Sequence, residues 1–201
     1  MLRLAITGGL ASGKSTVAGL LRARGIPVVD ADALGHELLH GEAQAEVVAV
    51  FGPDIVENGR ISPARLAARV FAPGGEAELA RLNRILHPRI LEEAARRLDE
   101  YEKQGREAAG VEAALLIEAG LLAGFDQVVL VTAPPAVRIE RFVRRTGADE
   151  AQARARLAQQ WPDEQKRPQA HFVIENNGTL AELGARVDAM LRQMRKETAA
   201  S

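Results

Sequence analysis

A short segment near the start of the chain has the residue types and spacing of a phosphate-binding loop. The residues from Gly8 to Ser15 read GGLASGKS and fit the pattern G-x-x-x-x-G-K-[ST]. In such a loop the backbone N–H groups point inward at phosphate oxygens, and glycine lets the backbone approach them with positive φ angles. Lys14 would reach the β- and γ-phosphates, and the Ser15 hydroxyl would coordinate Mg²⁺. The residues expected to hold the nucleotide are Gly8, Gly9, Leu10, Ala11, Ser12, Gly13, Lys14, Ser15 and Thr16. The alternative is a glycine-rich turn that binds nothing.

Two carboxylates follow the second apolar segment. Asp30 and Asp32 come directly after Ile26–Val29, which reads as a short buried strand. Ligands of open α/β sheets bind at the carboxyl ends of the strands. On an extended segment both side chains would project to the same side, so one could face an acceptor hydroxyl while the other holds Mg²⁺ or orients its neighbour. The alternative is that Asp32 caps a helix that starts at Ala33.

A cluster of arginines follows the fourth apolar segment. It consists of Arg138, Arg141, Arg144, Arg145, Arg154 and Arg156. Arginines in this place suit a lid that closes on phosphates, because a guanidinium binds them bidentately and stabilises charge in the transition state. The alternative is a solvated helix face whose charge is balanced by nearby carboxylates. We expect at least one of these arginines to contact phosphate, and the spacing does not say which.

A histidine pair matches a zinc motif, but we predict no zinc. The residues from His36 to His40 read HELLH and fit the H-E-x-x-H helix of metalloproteases. A third ligand would have to come from elsewhere, and His87 and His171 are the only other histidines. We interpret the segment as a partly exposed helix after the second strand.

The elements that must position these residues alternate between strands and helices. The five apolar segments that read as strands are 2–7, 26–29, 111–117, 127–132 and 171–174. Helical spacing is found at 15–24, 90–107 and 149–160, after Pro134, and after Thr179, which is expected to cap the last helix. Short apolar strands joined by helices predict an α/β fold of three layers, with a five-stranded parallel sheet between helices.

The chain is long enough for one α/β domain with an insertion. Residues 1–40 and 108–201 are expected to form a phosphate-loop nucleotide-binding core. Residues 41–107 contain too many helices for one crossover, so we predict that they form a helical insertion. Residues from about 141 to 168 are expected to form a helical lid within the core.

Composition excludes several classes of function. The 26 basic and 27 acidic residues leave a net charge of −1, which gives no reason to expect nucleic acid or membrane as a partner. The chain has no cysteine, so disulfides and thiolate metal sites are excluded. Without a signal-peptide pattern or a long apolar run, we expect a cytoplasmic protein that is a monomer or a weak oligomer.

An ordered set of motifs resembles the dephospho-CoA kinase family. The opening segment from Ile6 to Thr16 is similar to the start of these enzymes, and so is the strand that ends at Asp32. The other similar motifs are Leu86–Pro88, Leu115–Glu118, Arg156–Pro162 and Ala170–Gly178. The phosphate loop alone is shared by many families, whereas this ordered set, which spans residues from about 4 to 195, is specific.

The resemblance implies a reaction and roles for particular residues. It implies transfer of the γ-phosphoryl group of ATP, with Mg²⁺, to the ribose 3′-hydroxyl of dephospho-CoA, whose CoA side would bind the insertion. Asp32 matches the family's aspartate at the acceptor hydroxyl, Arg141 its lid arginine at phosphate, and Asn176 the segment near adenine. With Lys14, Asp32 and Arg141 are the expected catalytic residues. Two alternatives stay open, which are a kinase for another small molecule and a nucleotide-binding switch without transfer activity.

Overall fold

The computed structural model describes residues 1–72 and 74–200, with the side chains of the last three of these left aside. The chain divides into two compact units, one formed by Met1–Val29 and the chain from Glu100 onward, the other by Asp30–Asp99. Within the described residues no helix has the length and the apolar character needed to cross a membrane.

Seven strands and nine α-helices are described. The strands are β1 (Leu2–Thr7), β2 (Val28–Asp30), β3 (Val56–Glu57), β4 (Arg60–Ile61), β5 (Ala108–Glu112), β6 (Gln127–Thr132) and β7 (Phe172–Glu175). The helices are α1 (Lys14–Arg22), α2 (Ala31–Leu39), α3 (Gln44–Phe51), α4 (Pro63–Val70), α5 (Glu76–Lys103), α6 (Pro135–Thr146), α7 (Glu150–Ala158), α8 (Asp163–Lys166) and α9 (Leu180–Ala200).

The predicted five-stranded parallel sheet is confirmed. Its strand order is β2-β5-β1-β6-β7, so β1 is the central strand. The alternation along β1 divides the core between the two faces of the sheet, as the period of a strand requires. Leu4 and Ile6 pack with residues of α1 and α9, whereas Ala5 packs on the other face with Leu116 and Ile117. Because helices and turns cover both faces, the strands read as nearly continuous apolar runs.

The third core strand differs from the prediction. It runs from Ala108 to Glu112 rather than over 111–117, and the residues that follow it form turns. The pattern was misleading because Leu116 and Ile117 are buried against the sheet without belonging to it. Gly110 lies inside the strand, where an added Cβ would come within 2.5 Å of Ile6 Cδ1.

The long charged helix begins earlier than predicted. It spans Glu76–Lys103 instead of 90–107 and contains Pro88 within its length. A proline inside a helix removes one backbone N–H donor and usually kinks or ends the helix. Leu82 and Ile85 before the proline and Ala94 and Leu98 after it are buried, so packing maintains one continuous helix.

The second unit has its own core and a hairpin that the sequence analysis missed. Its core residues are Leu39, Ala43, Val47, Phe51, Ile55, Ile61, Leu66, Val70, Leu82 and Ile85. Strands β3 and β4 pair antiparallel around Asn58 and Gly59, whose φ angles are 52° and 76°. Two consecutive positive φ angles at Asn-Gly are typical of a type I′ turn, so this segment is a β-hairpin within the predicted helical insertion.

Candidate active site

The phosphate loop connects the central strand to the first helix, as predicted. Gly8 and Gly13 have φ angles of 152° and 100°, and α1 begins at Lys14. A Cβ on Gly8 would come within 2.2 Å of the Val131 carbonyl oxygen, so this position requires glycine. Lys14 Nζ donates to the Gly9 carbonyl oxygen at 3.3 Å. The loop therefore presents backbone N–H groups at a helix N-terminus, an arrangement that binds anions.

Asn176 lies against the phosphate loop, just after β7. Its Nδ2 donates to the Ser12 carbonyl oxygen at 2.8 Å, and its Oδ1 accepts from Arg141 Nη2 at 3.5 Å. A Cβ on Gly13 would lie 1.9 Å from Asn176 Nδ2, so the close approach depends on glycine. The structure thus connects two residues singled out from the sequence to the phosphate loop, since Asn176 binds Ser12 and Arg141 binds Asn176.

Glu112 is a site residue that the sequence analysis missed. It is the last residue of β5, is 5% exposed, and accepts a hydrogen bond of 2.6 Å from Ser15 Oγ through Oε1. In the sheet register it lies beside Ile6 of β1. We predicted the third strand over 111–117, which put Glu112 near its beginning. The strand ends at Glu112 instead, so the sequence did not indicate that this side chain lies at the carboxyl end of the strand. The available signal was a lone carboxylate in an apolar run after Gly110.

Asp30 and Asp32 do not lie on one extended segment, so that prediction was wrong. The helix α2 begins at Ala31, and Asp30 is its N-cap, with Oδ1 accepting from the Ala33 backbone N–H at 3.0 Å. Asp32 is exposed in the first turn of α2. The capping role considered for Asp32 therefore belongs to Asp30, while Asp32 stands where a helix dipole favours a negative charge. Both residues belong to the second compact unit.

The arginines of the cluster have different environments. Arg138 is 5% exposed, and burial lowers the pKa of its guanidinium. Its Nε donates to the Leu10 carbonyl oxygen at 2.9 Å. Arg141 is half-buried, and its Nη1 has no hydrogen-bond partner among the described residues. The structure therefore separates these two arginines, which lie toward the phosphate loop, from the rest of the cluster.

The other members of the cluster are exposed. Arg154 pairs with Glu150 at 2.5 Å, and the Arg156 guanidinium lies 5.5 Å from the centre of the Phe142 ring. Arg144 and Arg145 are exposed residues of α6. For these four residues the alternative of a solvated helix face describes the structure well.

Two further residues, Gln160 and Lys166, were given no role by the sequence analysis. Gln160 accepts a hydrogen bond of 2.7 Å from the Leu10 backbone N–H. Lys166 is fully buried, and its Nζ lies 2.5 Å from Glu118 Oε1. A lysine in a sequence as polar as DEQKR reads as exposed, so no local signal indicated its burial.

The histidine pair forms a ring contact. The rings of His36 and His40 meet edge to face with centroids 4.5 Å apart. Burial and the neighbouring charges of His36 and Arg60 lower the pKa of His40. Over the residues that the structure describes, no group of three or more histidine, cysteine, aspartate or glutamate side chains could hold a metal ion.

Comparisons with known proteins agree along nearly the whole chain. A dephospho-CoA kinase from Corynebacterium glutamicum is 42% identical over 197 residues, which cover 96% of this chain and 98% of that protein. One from Geobacillus kaustophilus is 38% identical, with 96% of each chain covered. The crystal structure of TT1252 from Thermus thermophilus superposes with a TM-score of 0.78 at 35% identity, covering 96% of this chain and 97% of that one.

More distant structures have the same fold. A dephospho-CoA kinase from Campylobacter jejuni superposes with a TM-score of 0.65 at 22% identity, covering 95% of this chain and 96% of that one. A shikimate kinase from Bacteroides thetaiotaomicron superposes at 0.53 and 15% identity, covering 96% and 98%. The family model for dephospho-CoA kinase matches residues 2–182. With this match and relatives of about 40% identity over almost their full length, the chain belongs to the dephospho-CoA kinase family.

Proposed function

We propose that this chain transfers the γ-phosphoryl group of ATP to the ribose 3′-hydroxyl of dephospho-CoA, giving coenzyme A and ADP. The observation that carries the proposal is the phosphate loop with Ser15 bound to Glu112 at 2.6 Å, in a chain of this family. The fold alone is not sufficient, because kinases for other small molecules share it.

The oxygen atoms beside the loop fit Mg²⁺. The Ser15 hydroxyl and the Glu112 carboxylate are hard oxygen ligands of the kind that this cation prefers, and one carboxylate near a substrate phosphate is a typical arrangement. When bound, Mg²⁺ would neutralise negative charge on the β- and γ-phosphates.

The transfer itself forms one bond and breaks one. The 3′-hydroxyl oxygen of the acceptor attacks the γ-phosphorus, and the bond from that phosphorus to the β,γ-bridging oxygen breaks, so ADP leaves. Asp32 orients the hydroxyl and accepts its proton, since a carboxylate within hydrogen-bond reach of the attacking group can act as a general base. This role rests on the match of Asp32 to the family's motif.

The remaining contributions are positioning and charge. The transition state of phosphoryl transfer is loose, so cations placed around the transferred group provide most of the catalysis. Lys14 begins α1 at the phosphate loop and Arg141 is joined to that loop through Asn176. We propose that Lys14 contacts the β- and γ-phosphates and that Arg141 contacts the transferred phosphoryl group. Asn176 binds the backbone of the loop and would lie near the adenine of ATP.

The second unit is the proposed site for the CoA side of the acceptor. It contains a cavity of about 560 Å³ whose wall carries both charged and apolar side chains. Leu34 and Leu38 line it, with the arginines Arg89, Arg96 and Arg97 and the glutamates Glu37, Glu42, Glu92 and Glu93. The leucines suit the pantetheine arm of the acceptor. The arginines would bind its diphosphate in exchange for carboxylates, since Arg89 pairs with Glu46, and Arg96 and Arg97 pair with Glu93.

The decisive experiment is ADP release with and without dephospho-CoA. We expect turnover that depends on the acceptor and is lost in Lys14→Ala, which changes a loop residue with no place in the apolar core. Equal ADP release without the acceptor would support a nucleotide-hydrolysing switch, and turnover with a different small alcohol in place of dephospho-CoA would support another kinase. Size-exclusion chromatography tests the expected monomer or weak oligomer, and a cytoplasmic location is part of the same proposal.

A further inference from the structure

Both backbone polar groups of Leu10 are bound by side chains from the lid region. The Leu10 N–H donates to Gln160 Oε1 at 2.7 Å, and the Leu10 carbonyl oxygen accepts from Arg138 Nε at 2.9 Å. Gln160 follows α7 and Arg138 lies on α6. Two side chains from separate elements thus form hydrogen bonds with the backbone of one residue of the phosphate loop. We refer to Leu10 and Ala11 as the outer turn of this loop.

Apolar packing accompanies these hydrogen bonds. Ile139 and Phe142 of α6 and Ala153 of α7 form a small buried cluster. Leu10 and Ala11 of the phosphate loop pack against it. The outer turn of the loop therefore has its packing partners in the lid helices.

The loop backbone at this turn depends on its surroundings. Ala11 has a φ angle of 53°, a left-handed conformation that a residue with a Cβ keeps only when neighbouring groups hold it. At Gly9 an added Cβ would lie 1.9 Å from Arg138 Nη2 and 3.0 Å from Gln160 Oε1. The two lid side chains thus fill the space around the loop.

We propose that Gln160 and Arg138 are positioning residues that hold the phosphate loop in its binding conformation from the lid side. They act through Leu10, so that the N–H groups of the following residues are oriented before the nucleotide arrives. The inference rests on the proposed function in that the bound anion is the phosphate chain of ATP. Its consequence is that the lid region and the phosphate loop move together.

The test compares two neighbouring glutamines in the full-length protein. Gln160→Met keeps the side-chain length but removes the acceptor for the Leu10 N–H, while Gln159→Met makes the same change at an exposed position. Amide hydrogen exchange over residues 8–16 is measured without any ligand. The affinity for a non-hydrolysable ATP analogue with Mg²⁺ is measured by calorimetry, and neither measurement uses dephospho-CoA. A failure here is therefore separate from a failure of acceptor-dependent turnover.

For Gln160→Met we expect faster exchange in the loop and an affinity that is about 3- to 10-fold weaker, the usual range for one lost hydrogen bond. Gln159→Met should match the wild type. Gln160→Glu retains an acceptor oxygen and should keep the loop protected from exchange. The proposal is overturned by unchanged exchange or affinity in Gln160→Met, by equal losses in Gln159→Met, or by loss of protection in Gln160→Glu.

Discussion

Among single residues, Asp30 and Asp32 lie two positions apart and have different roles. Asp30 stabilises the start of α2 by accepting a hydrogen bond from the Ala33 N–H, and Asp32 is the exposed second residue of the helix. A capping carboxylate satisfies a backbone N–H at the start of the helix, whereas a carboxylate in the first turn is favoured by the helix dipole. The two residues are thus a matched pair for testing catalysis against folding.

We predict that Asp32→Asn lowers turnover by about 10²- to 10⁴-fold, because it removes the proton acceptor at the 3′-hydroxyl. Affinity for ATP should stay within about threefold, since the loop amides and Lys14 are unchanged. Steady-state rates with dephospho-CoA and calorimetry with ATP provide the two readouts. Asp30→Asn, which retains an oxygen for capping, should keep most of the activity. Equal turnover losses in both variants would contradict the assignment of Asp32.

Glu112 provides a second prediction for a single residue. Glu112→Gln keeps the size and one oxygen but removes the negative charge beside Ser15. We expect the Mg²⁺ concentration needed for half-maximal turnover to rise about tenfold, because a carboxylate is a better ligand for a hard cation than an amide. The exposed Glu107→Gln is the control. An unchanged Mg²⁺ dependence would remove Glu112 from the metal site.

The elements of the first unit are joined by a buried ion pair. Lys166 of α8 is fully buried and Glu118, in the turns after β5, is nearly so, with Nζ and Oε1 2.5 Å apart. Removing one partner of a buried pair leaves an uncompensated charge, whereas replacing both with apolar residues is often neutral. The pair therefore attaches α8 to the turns after β5.

We predict that Lys166→Met lowers the free energy of unfolding by about 3–5 kcal/mol. The double variant Lys166→Met/Glu118→Leu should recover most of that loss. Lys103→Met, at the exposed end of α5, should change stability by no more than about 0.5 kcal/mol. The free energy of unfolding is measured by urea denaturation for the wild type, the two single variants and the double variant. If the double variant were no more stable than Lys166→Met, the loss of stability would not come from leaving Glu118 unpaired.

In helix α5, Glu93 makes the stability of the second unit depend on pH. Hydrogen bonds from Arg96 and Arg97 lower its pKa from 4.5 to about 2. A carboxyl group whose pKa is lower in the folded state stabilises the fold above its unfolded pKa, and this contribution is lost as the pH falls from about 5 to about 2. Because the carboxylate is near solvent, we expect it to contribute only about 1 kcal/mol at pH 7.

The measurement is urea unfolding of wild type and Glu93→Gln at several pH values. The difference in unfolding free energy should be about 1 kcal/mol at pH 7 and should shrink as the pH falls below about 5. Glu92→Gln changes the exposed neighbour and should track the wild type. A difference that stays constant down to pH 2 would mean that the ionised form of Glu93 is not stabilised by its arginines.

For the whole molecule, the main division is between two units with separate cores. The sheet of the first unit carries the phosphate loop, and the second unit has its own apolar cluster and cavity. The unit of Asp30–Asp99 begins earlier and ends earlier than the predicted insertion of 41–107. Assigning nucleotide to one unit and the CoA side of the acceptor to the other stays a prediction.

Hydrogen exchange with each substrate tests this division. We expect an ATP analogue with Mg²⁺ to protect residues 8–16 and dephospho-CoA to protect segments within 30–99, because bound groups slow the opening of the backbone they contact. Protection of about tenfold in at least one segment of the second unit is the expected result for dephospho-CoA. Protection confined to the first unit would place the whole acceptor there.

Several features followed from the sequence because their causes are local. The phosphate loop, the bounds of β1 and β6 and the parallel sheet were predicted correctly. The capping of α9 was also correct, since Thr179 Oγ1 accepts from the Glu182 N–H at 3.3 Å. Each of these depends on spacing, alternation or a cap within a few residues. The hairpin at Asn58-Gly59 had an equally local signal, which was overlooked.

Only the tertiary structure decided which distant residues meet. Ser15 and Glu112 are 97 positions apart, and Asn176 lies 164 positions from Ser12. The order of the strands brings each pair together, because β5 lies beside β1 in the sheet and β7 is separated from β1 by β6 alone. The start of α2 at Ala31 likewise separated the roles of Asp30 and Asp32. The spacing of residues along the chain was sufficient to predict a phosphate-binding loop. Strand order and packing decided which side chains hold that loop, because those contacts join segments that share no local pattern.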